Sequence, residues 1–160
     1  MKTRVLFVCM GNICRSPAAE GVLQKLAKDN GLSDELEIAS CGLGSWYVGH
    51  QADARMRSAA QLRGVSLVNR ARQLDLNDYD AYDYLFAADN EVLLELQRHA
   101  TTTEHKAKIH LFTEYSPSFK GREVPDPYYN GQGAFEEVLD IIEDACEGFI
   151  QHLRKEKKLS

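Results

Sequence analysis

The chain has 160 residues, which one compact domain accounts for. Its hydrophobic share of 44% and charged share of 27% exclude intrinsic disorder, and no apolar run approaches the ~20 residues needed to cross a bilayer. The formal charge of −5 argues against a general nucleic-acid or anionic-membrane binder.

The N-terminus starts basic, but its apolar stretch over residues 5–10 stops at Gly11-Asn12. That is too short for a signal-peptide core and lacks a small-residue cleavage pattern. Residues 4–8 are a run of β-formers and predict the first strand. Ser16-Pro17 then supplies an N-cap and first-turn pair for a helix. In it Ala18, Val22 and Leu26, beside Ala19, Leu23 and Ala27, recur at helical spacing. Glu20, Gln24 and Lys28 are expected to face out, and Gly31 is a plausible stop. Residues 36–39 read as a weaker strand. Asp53 is placed to cap a helix running to Arg63, before Gly64. Residues 84–88 predict a third strand, Asp89 caps a helix through Arg98, and 108–112 predict the fourth strand. Phe135, Val138, Leu139, Ile142, Ala145, Cys146, Phe149, Ile150 and Leu153 form the apolar stripe of a last helix. The charged tail 154–160 is expected to fray.

Repeats and linker-like stretches are absent, so the expectation is one α/β domain over 1–160. Alternating strands and helices predict a twisted four-stranded parallel sheet with helices on both faces. Ligands of such sheets bind beyond the carboxyl ends of the strands. The loop leaving the first strand, Cys9 to Arg15, is therefore the candidate site.

That loop reads Cys9-Met10-Gly11-Asn12-Ile13-Cys14-Arg15, followed by Ser16-Pro17. A short turn feeding a helix aims several backbone N–H groups at one point, backed by the positive end of the helix dipole. Gly11 and Asn12 are the residues best able to adopt left-handed conformations. Arg15 offers a planar fork for two phosphate oxygens. Amid those dipoles and that cation, Cys9 is expected to carry thiolate character, with the Ser16 hydroxyl directed toward its sulfur. A nucleophile and an oxyanion cradle then share one phosphate-binding loop. The four cysteines lack zinc-site spacing, and Cys9 and Cys14 are not a C-x-x-C pair. Cys41 and Cys146 read as core thiols. With no export signal, free thiols in a reducing cytoplasm are expected, with no metal and no cofactor.

Far downstream, Val124-Pro125-Asp126-Pro127-Tyr128-Tyr129-Asn130-Gly131 brackets an Asp between two prolines, which stiffen the segment. Held opposite the nucleophile, Asp126 could protonate a leaving oxygen and then act as base on water. Taken alone, Asp-Pro simply starts a turn.

With both segments in view, the sequence resembles the low-molecular-weight protein tyrosine phosphatases over nearly its whole length. Residues 8–17 look like that family's phosphate loop and Asp126-Pro127-Tyr128-Tyr129 like its general-acid loop. Ser40 with Gly42, Trp46-Tyr47-Val48-Gly49, Ala71-Arg72-Gln73 and Tyr82-Asp83-Tyr84 fit in order between them. The resemblance implies a metal-independent phosphatase with a phosphocysteine intermediate. Cys9 would be the nucleophile, Arg15 the phosphate clamp, and Asp126 the acid/base. Ser16 would favour the thiolate, and Asn12 and Ser40 would brace the loop. It also implies that Trp46, Tyr47, Tyr128 and Tyr129 wall a pocket deep enough for phosphotyrosine. Ile13 suits an aryl phosphate, whereas phosphoarginine-selective relatives carry Thr there. Cys14 resembles a second loop cysteine that traps the nucleophile in a reversible disulfide. Asn69 stands where many members carry a His that helps hold the loop asparagine.

The expected partners are a tyrosine-phosphorylated protein and, in the loop, inorganic phosphate or another oxyanion. No nucleic acid and no membrane span are expected, and the chain is expected to be a monomer. Two other functions compete. Thiol-linked arsenate reduction uses the same loop but needs resolving cysteines, of which residues 61–120 contain none. A catalytically idle phospho-binding protein would not need Cys9, Arg15 and Asp126 together.

Overall fold

The apolar run after the N-terminus forms β1 (Thr3–Cys9), whose last five residues are all buried, as expected of a strand covered on both faces. The structure is a computed structural model, and it describes residues 2–156 and 158–159. Along the chain follow α1 (Arg15–Asp29), β2 (Leu36–Gly42), α2 (Ala54–Gln61), α3 (Asp78–Ala81) and β3 (Tyr84–Ala87). Then come α4 (Asn90–His99), α5 (Thr103–Ala107), β4 (Ile109–Leu111) and α6 (Gln132–Lys155).

The sheet has strand order β2-β1-β3-β4 with every pair parallel. Alternate residues of a strand face opposite sides, and the core divides accordingly. Val5, Phe7 and Cys9, with Tyr84 and Phe86, pack under α1, α2 and α6. Leu6 and Val8, with Leu85 and Ala87, pack against Tyr79 and against Val92 and Leu96 of α4. The expected parallel α/β architecture is present, with helices on both faces.

Capping chemistry sets two helix starts as expected. Asp53 accepts from Arg55 N at 2.8 Å, and Asp89 from Val92 N at 2.9 Å. The start of α1 differs from the expectation. Its N-cap is Cys14, with no side-chain cap, and Ser16 lies inside the helix with its hydroxyl turned to the loop. Glu20 also departs from its outward assignment. It is half-buried, and its carboxylate accepts from Ser40 Oγ at 2.6 Å. At the C-terminus α6 runs to Lys155. Of the tail expected to fray, Lys157 and Ser160 lie outside the described residues. Among the described residues, no helix is long and apolar enough to cross a membrane.

Candidate active site

Cys9 ends β1, and the chain turns through residues 10–14 directly into α1, so the helix N-terminus faces the loop. The Cys9 thiol is buried. Its Sγ lies 2.9 Å from Ser16 Oγ and accepts Asn12 N–H at 3.3 Å. Asn12 alone of the loop residues is left-handed, with φ 59°. Gly11 is not, contrary to the expectation for both residues. Its smallness answers a close approach instead, since a Cβ there would meet the Tyr47 ring at 3.0 Å.

The Asn12 side chain offsets the unusual backbone by bonding on both ends. Its Nδ2 donates to Ser16 Oγ at 2.8 Å and Ser40 Oγ at 3.0 Å, while Oδ1 accepts from Arg72 N at 3.0 Å. Ser40 Oγ also accepts from Asn69 Nδ2 at 3.2 Å, so Asn69 reaches the brace directly. Glu20 completes that network, a role the helical pattern hid. Its burial, partly offset by the donors Ser40 and Gln24 and by the charge of Arg72, holds its carboxyl above the ordinary range.

Arg15 is almost fully buried at the first position of α1. Its Nη1 donates to Asp89 Oδ2 at 2.6 Å and to Val124 O at 3.0 Å. That leaves the Nε–Nη2 edge of the fork without a hydrogen bond among the described residues. Nη2 lies 3.8 Å from Asp126 Oδ2. Burial opposes the Arg15 charge, but Cys9, Asp89 and Asp126 outweigh it and raise the guanidinium above its ordinary value. Asp89 read only as a helix cap in sequence. One of its oxygens does cap α4, and the other orients Arg15.

Asp126 sits between its two prolines with a half-exposed side chain, and its Oδ1 accepts from Tyr128 N at 3.0 Å. Another residue the sequence did not flag holds this segment. Arg55 Nη2 donates to Tyr128 O at 2.9 Å, and the guanidinium lies over the Tyr128 ring at 5.3 Å and the Phe135 ring at 4.8 Å. Both oxygens of Asp53 hold Arg55, at 3.1 and 3.0 Å, and Asp53 N donates to Ile13 O at 2.7 Å. The loop over residues 10–14 and the Asp126 segment are thus tied through α2.

These parts surround one cavity of about 320 Å³. Cys9, Met10, Gly11, Ile13, Cys14, Arg15 and Asp126 form its base, and Trp46, Tyr47, Tyr128 and Tyr129 its walls. The Tyr47 and Tyr128 rings lie 6.4 Å apart, while Trp46 and Tyr129 are 67% and 92% exposed, so the outer rim is open to solvent. Burial, with help from Asp53 and Cys9, pushes the Cys14 thiol far up, so it stays protonated near neutrality. Burial likewise pushes up Cys41 and Cys146, which lie in the core.

A family model described as low molecular weight phosphotyrosine protein phosphatase matches residues 4–159. The chain is 37% identical to the low molecular weight phosphotyrosine protein phosphatase of Sus scrofa, over 94% of this chain and 95% of that one. Among solved structures, a protein tyrosine phosphatase from Entamoeba histolytica with Hepes in its active site superposes with a TM-score of 0.93. The identity is 40%, over 98% of this chain and 99% of that chain. The Drosophila arginine phosphatase DARP superposes with a TM-score of 0.86 at 37% identity, over 95% and 97% of the two chains.

Proposed function

Since this chain belongs to the low molecular weight phosphotyrosine protein phosphatase family, we propose that it hydrolyses phosphotyrosine, and small aryl phosphates, through a phosphocysteine. The observation that carries the reading is the convergence of Cys9, Arg15 and Asp126 on one cavity with aromatic walls. The cavity, with Tyr47 and Tyr128 on its wall, admits a phenyl ring, and the branched Ile13 at the base favours a flat aryl group over an extended guanidine.

The Cys9 thiolate attacks phosphorus in line, forming the S–P bond as the P–O bond to the tyrosine breaks. Loop N–H groups and the free edge of Arg15 hold the equatorial oxygens, where negative charge is spread in the transition state. Because Nη1 is committed to Asp89 and Val124, that edge is pre-oriented and needs no reorganisation. Asp126 gives its proton to the departing phenolate. Its carboxylate then takes a proton from water, which attacks the phosphocysteine, releases inorganic phosphate and restores the thiolate. Ser16 Oγ–H, when it donates to sulfur, stabilises that thiolate in both steps. Under peroxide, Cys9 oxidised to a sulfenic acid condenses with the Cys14 thiol, expelling water to form a disulfide. Free thiols and this chemistry suit a reducing cytoplasm.

Phosphate release from phosphotyrosyl, phosphoseryl and phosphoarginyl peptides tests the reading. Cys9→Ser removes the nucleophile and is expected to abolish turnover. Asp126→Ala should lower kcat by about 10²–10⁴-fold, the usual yield of general acid catalysis, with little change in substrate affinity. Undiminished turnover in either variant overturns the mechanism, and phosphoarginine as the preferred substrate overturns the reading of Ile13.

A further inference from the structure

Behind the Tyr47–Tyr128 wall lies a second cleft of about 510 Å³, which shares Ile13, Tyr47 and Tyr128 with the catalytic cavity. Its other side carries His50, Arg57 and Arg70. The backbone there is fixed: Gly49 N donates to Ala71 O at 2.8 Å, Ala71 N donates to His50 O at 2.9 Å, and Gln51 bridges Arg70.

The two arginines are oriented without being neutralised. Arg57 Nε donates to Ala52 O at 3.0 Å, and Arg70 Nη1 donates to Gly49 O at 3.1 Å. Among the described residues, neither forms an ion pair with a carboxylate. The carboxylate in the cleft lining, Asp53, has both oxygens engaged by Arg55. A chain of net charge −5 therefore keeps two uncompensated guanidinium groups in a cleft adjoining the catalytic cavity.

We propose that this cleft is a docking subsite for the acidic side chain of a residue near the phosphotyrosine in a substrate polypeptide. The inference rests on the phosphatase reading and adds a sequence preference to it. With its ring in the catalytic cavity, a phosphotyrosine sends the rest of its chain out over the rim, part of which is the Tyr47–Tyr128 wall shared with the cleft. An extended chain advances about 3.3–3.6 Å per residue, so two or three residues carry it past a single layer of side chains. A side chain within about three positions of the phosphotyrosine thus crosses the wall into the cleft. A carboxylate there meets the free Nη groups of Arg57 and the open edge of Arg70.

The test uses phosphotyrosyl peptides with a single Glu or Gln at each of the three positions on either side of the phosphotyrosine. The readout is the Glu-to-Gln ratio of kcat/KM at low and at physiological salt. At one or more positions on one side, Glu is expected to raise kcat/KM about three- to tenfold, the scale of exposed ion pairs and charge steering. Salt should compress that ratio. Arg57→Gln with Arg70→Gln should bring it close to one. Arg70→Gln alone, at an exposed position, should show a partial loss and keeps the test available if the double variant does not fold. A wild-type ratio near one at every position, or a ratio that survives in the double variant, overturns the subsite while leaving the phosphatase reading standing. If no phosphotyrosyl peptide releases phosphate, the phosphatase reading falls and the subsite with it.

Discussion

The carboxyl of Glu20 is reached from the Cys9 sulfur through Ser16, Asn12 and Ser40, a chain of side-chain hydrogen bonds spanning the floor of the site. Burial is the main influence on its proton affinity and favours the neutral acid, so it binds its proton more tightly folded than unfolded. A group raised in this way contributes stability that is full below its unfolded pKa and is lost as pH rises through the folded one. Glu20→Gln keeps an oxygen to accept from Ser40 and removes the ionisation. The variant should therefore be more resistant to urea than the wild type at neutral and alkaline pH, with the gap closing as pH falls toward the ordinary carboxylate range. Urea midpoints measured across that range check it, and a difference independent of pH would show that burial of the charge is not what matters. The role was hidden in sequence because Glu20 repeats with Gln24 and Lys28 at helical spacing, and that period assigns it to the solvent face. What turns it inward is Ser40, on the neighbouring strand.

Between elements, the decisive connection is Arg55, which joins α2 to the segment carrying Asp126 through the Tyr128 carbonyl and ring, and to α6 through the Phe135 ring. Arg55→Met keeps much of the side-chain length and removes the hydrogen bond and the cation–π contacts, leaving Asp126 less firmly placed. We expect kcat to fall about three- to tenfold for an aryl phosphate with a poor leaving group, on the scale of one charge-assisted hydrogen bond. For a good leaving group, which needs little protonation, kcat should change less, and an equal loss for both would remove Arg55 as a positioning residue. Packing against α6 sets a second limit. A Cβ at Gly148 would lie 1.9 Å from the Tyr115 carbonyl oxygen. Helix propensity favours Ala over Gly by about 1 kcal/mol, whereas overpacking against backbone costs about 1–3 kcal/mol or more. The clash wins, and Gly148→Ala should lower stability by about 1–2 kcal/mol in urea denaturation. A stabilised variant would mean that α6 can shift freely. Helices α1 and α6 were legible from long apolar periods, α2 and α4 from the capping Asp53 and Asp89, and the strands from short runs of β-formers. Helices α3 and α5, with 4 and 5 residues, complete scarcely one turn and show no period to detect.

At the scale of the molecule, net charge was a poor guide to the ligand. A total of −5 coexists with a cavity whose base carries Arg15 at the N-terminus of α1, because fields from exposed charges are screened within about 8–10 Å whereas a buried site keeps its own. The same locality decides what sequence could reveal. The segment from Cys9 to Ser16 places its candidate site residues contiguously and reads directly, whereas Asp126 between its prolines reads as more than a turn only beside that loop. The groups that orient them, Asp89 on Arg15 and Arg55 on Tyr128, act across separations of 74 and 73 residues, which no local pattern encodes. A cradle this local still governs global unfolding, since an anion that binds only the folded state stabilises the whole domain. Phosphate at a hundred times its dissociation constant should add about 2.7 kcal/mol. For a domain of this size that raises Tm by roughly 5–11 °C. Asp126→Ala should preserve or enlarge the shift, because the Asp126 carboxylate lies 3.8 Å from the edge of Arg15 that the anion would occupy. Site binding makes the shift grow with the logarithm of phosphate concentration above saturation, whereas general salt exclusion gives a linear rise. A linear response, shared equally by chloride at matched ionic strength, would show that the loop does not bind the anion.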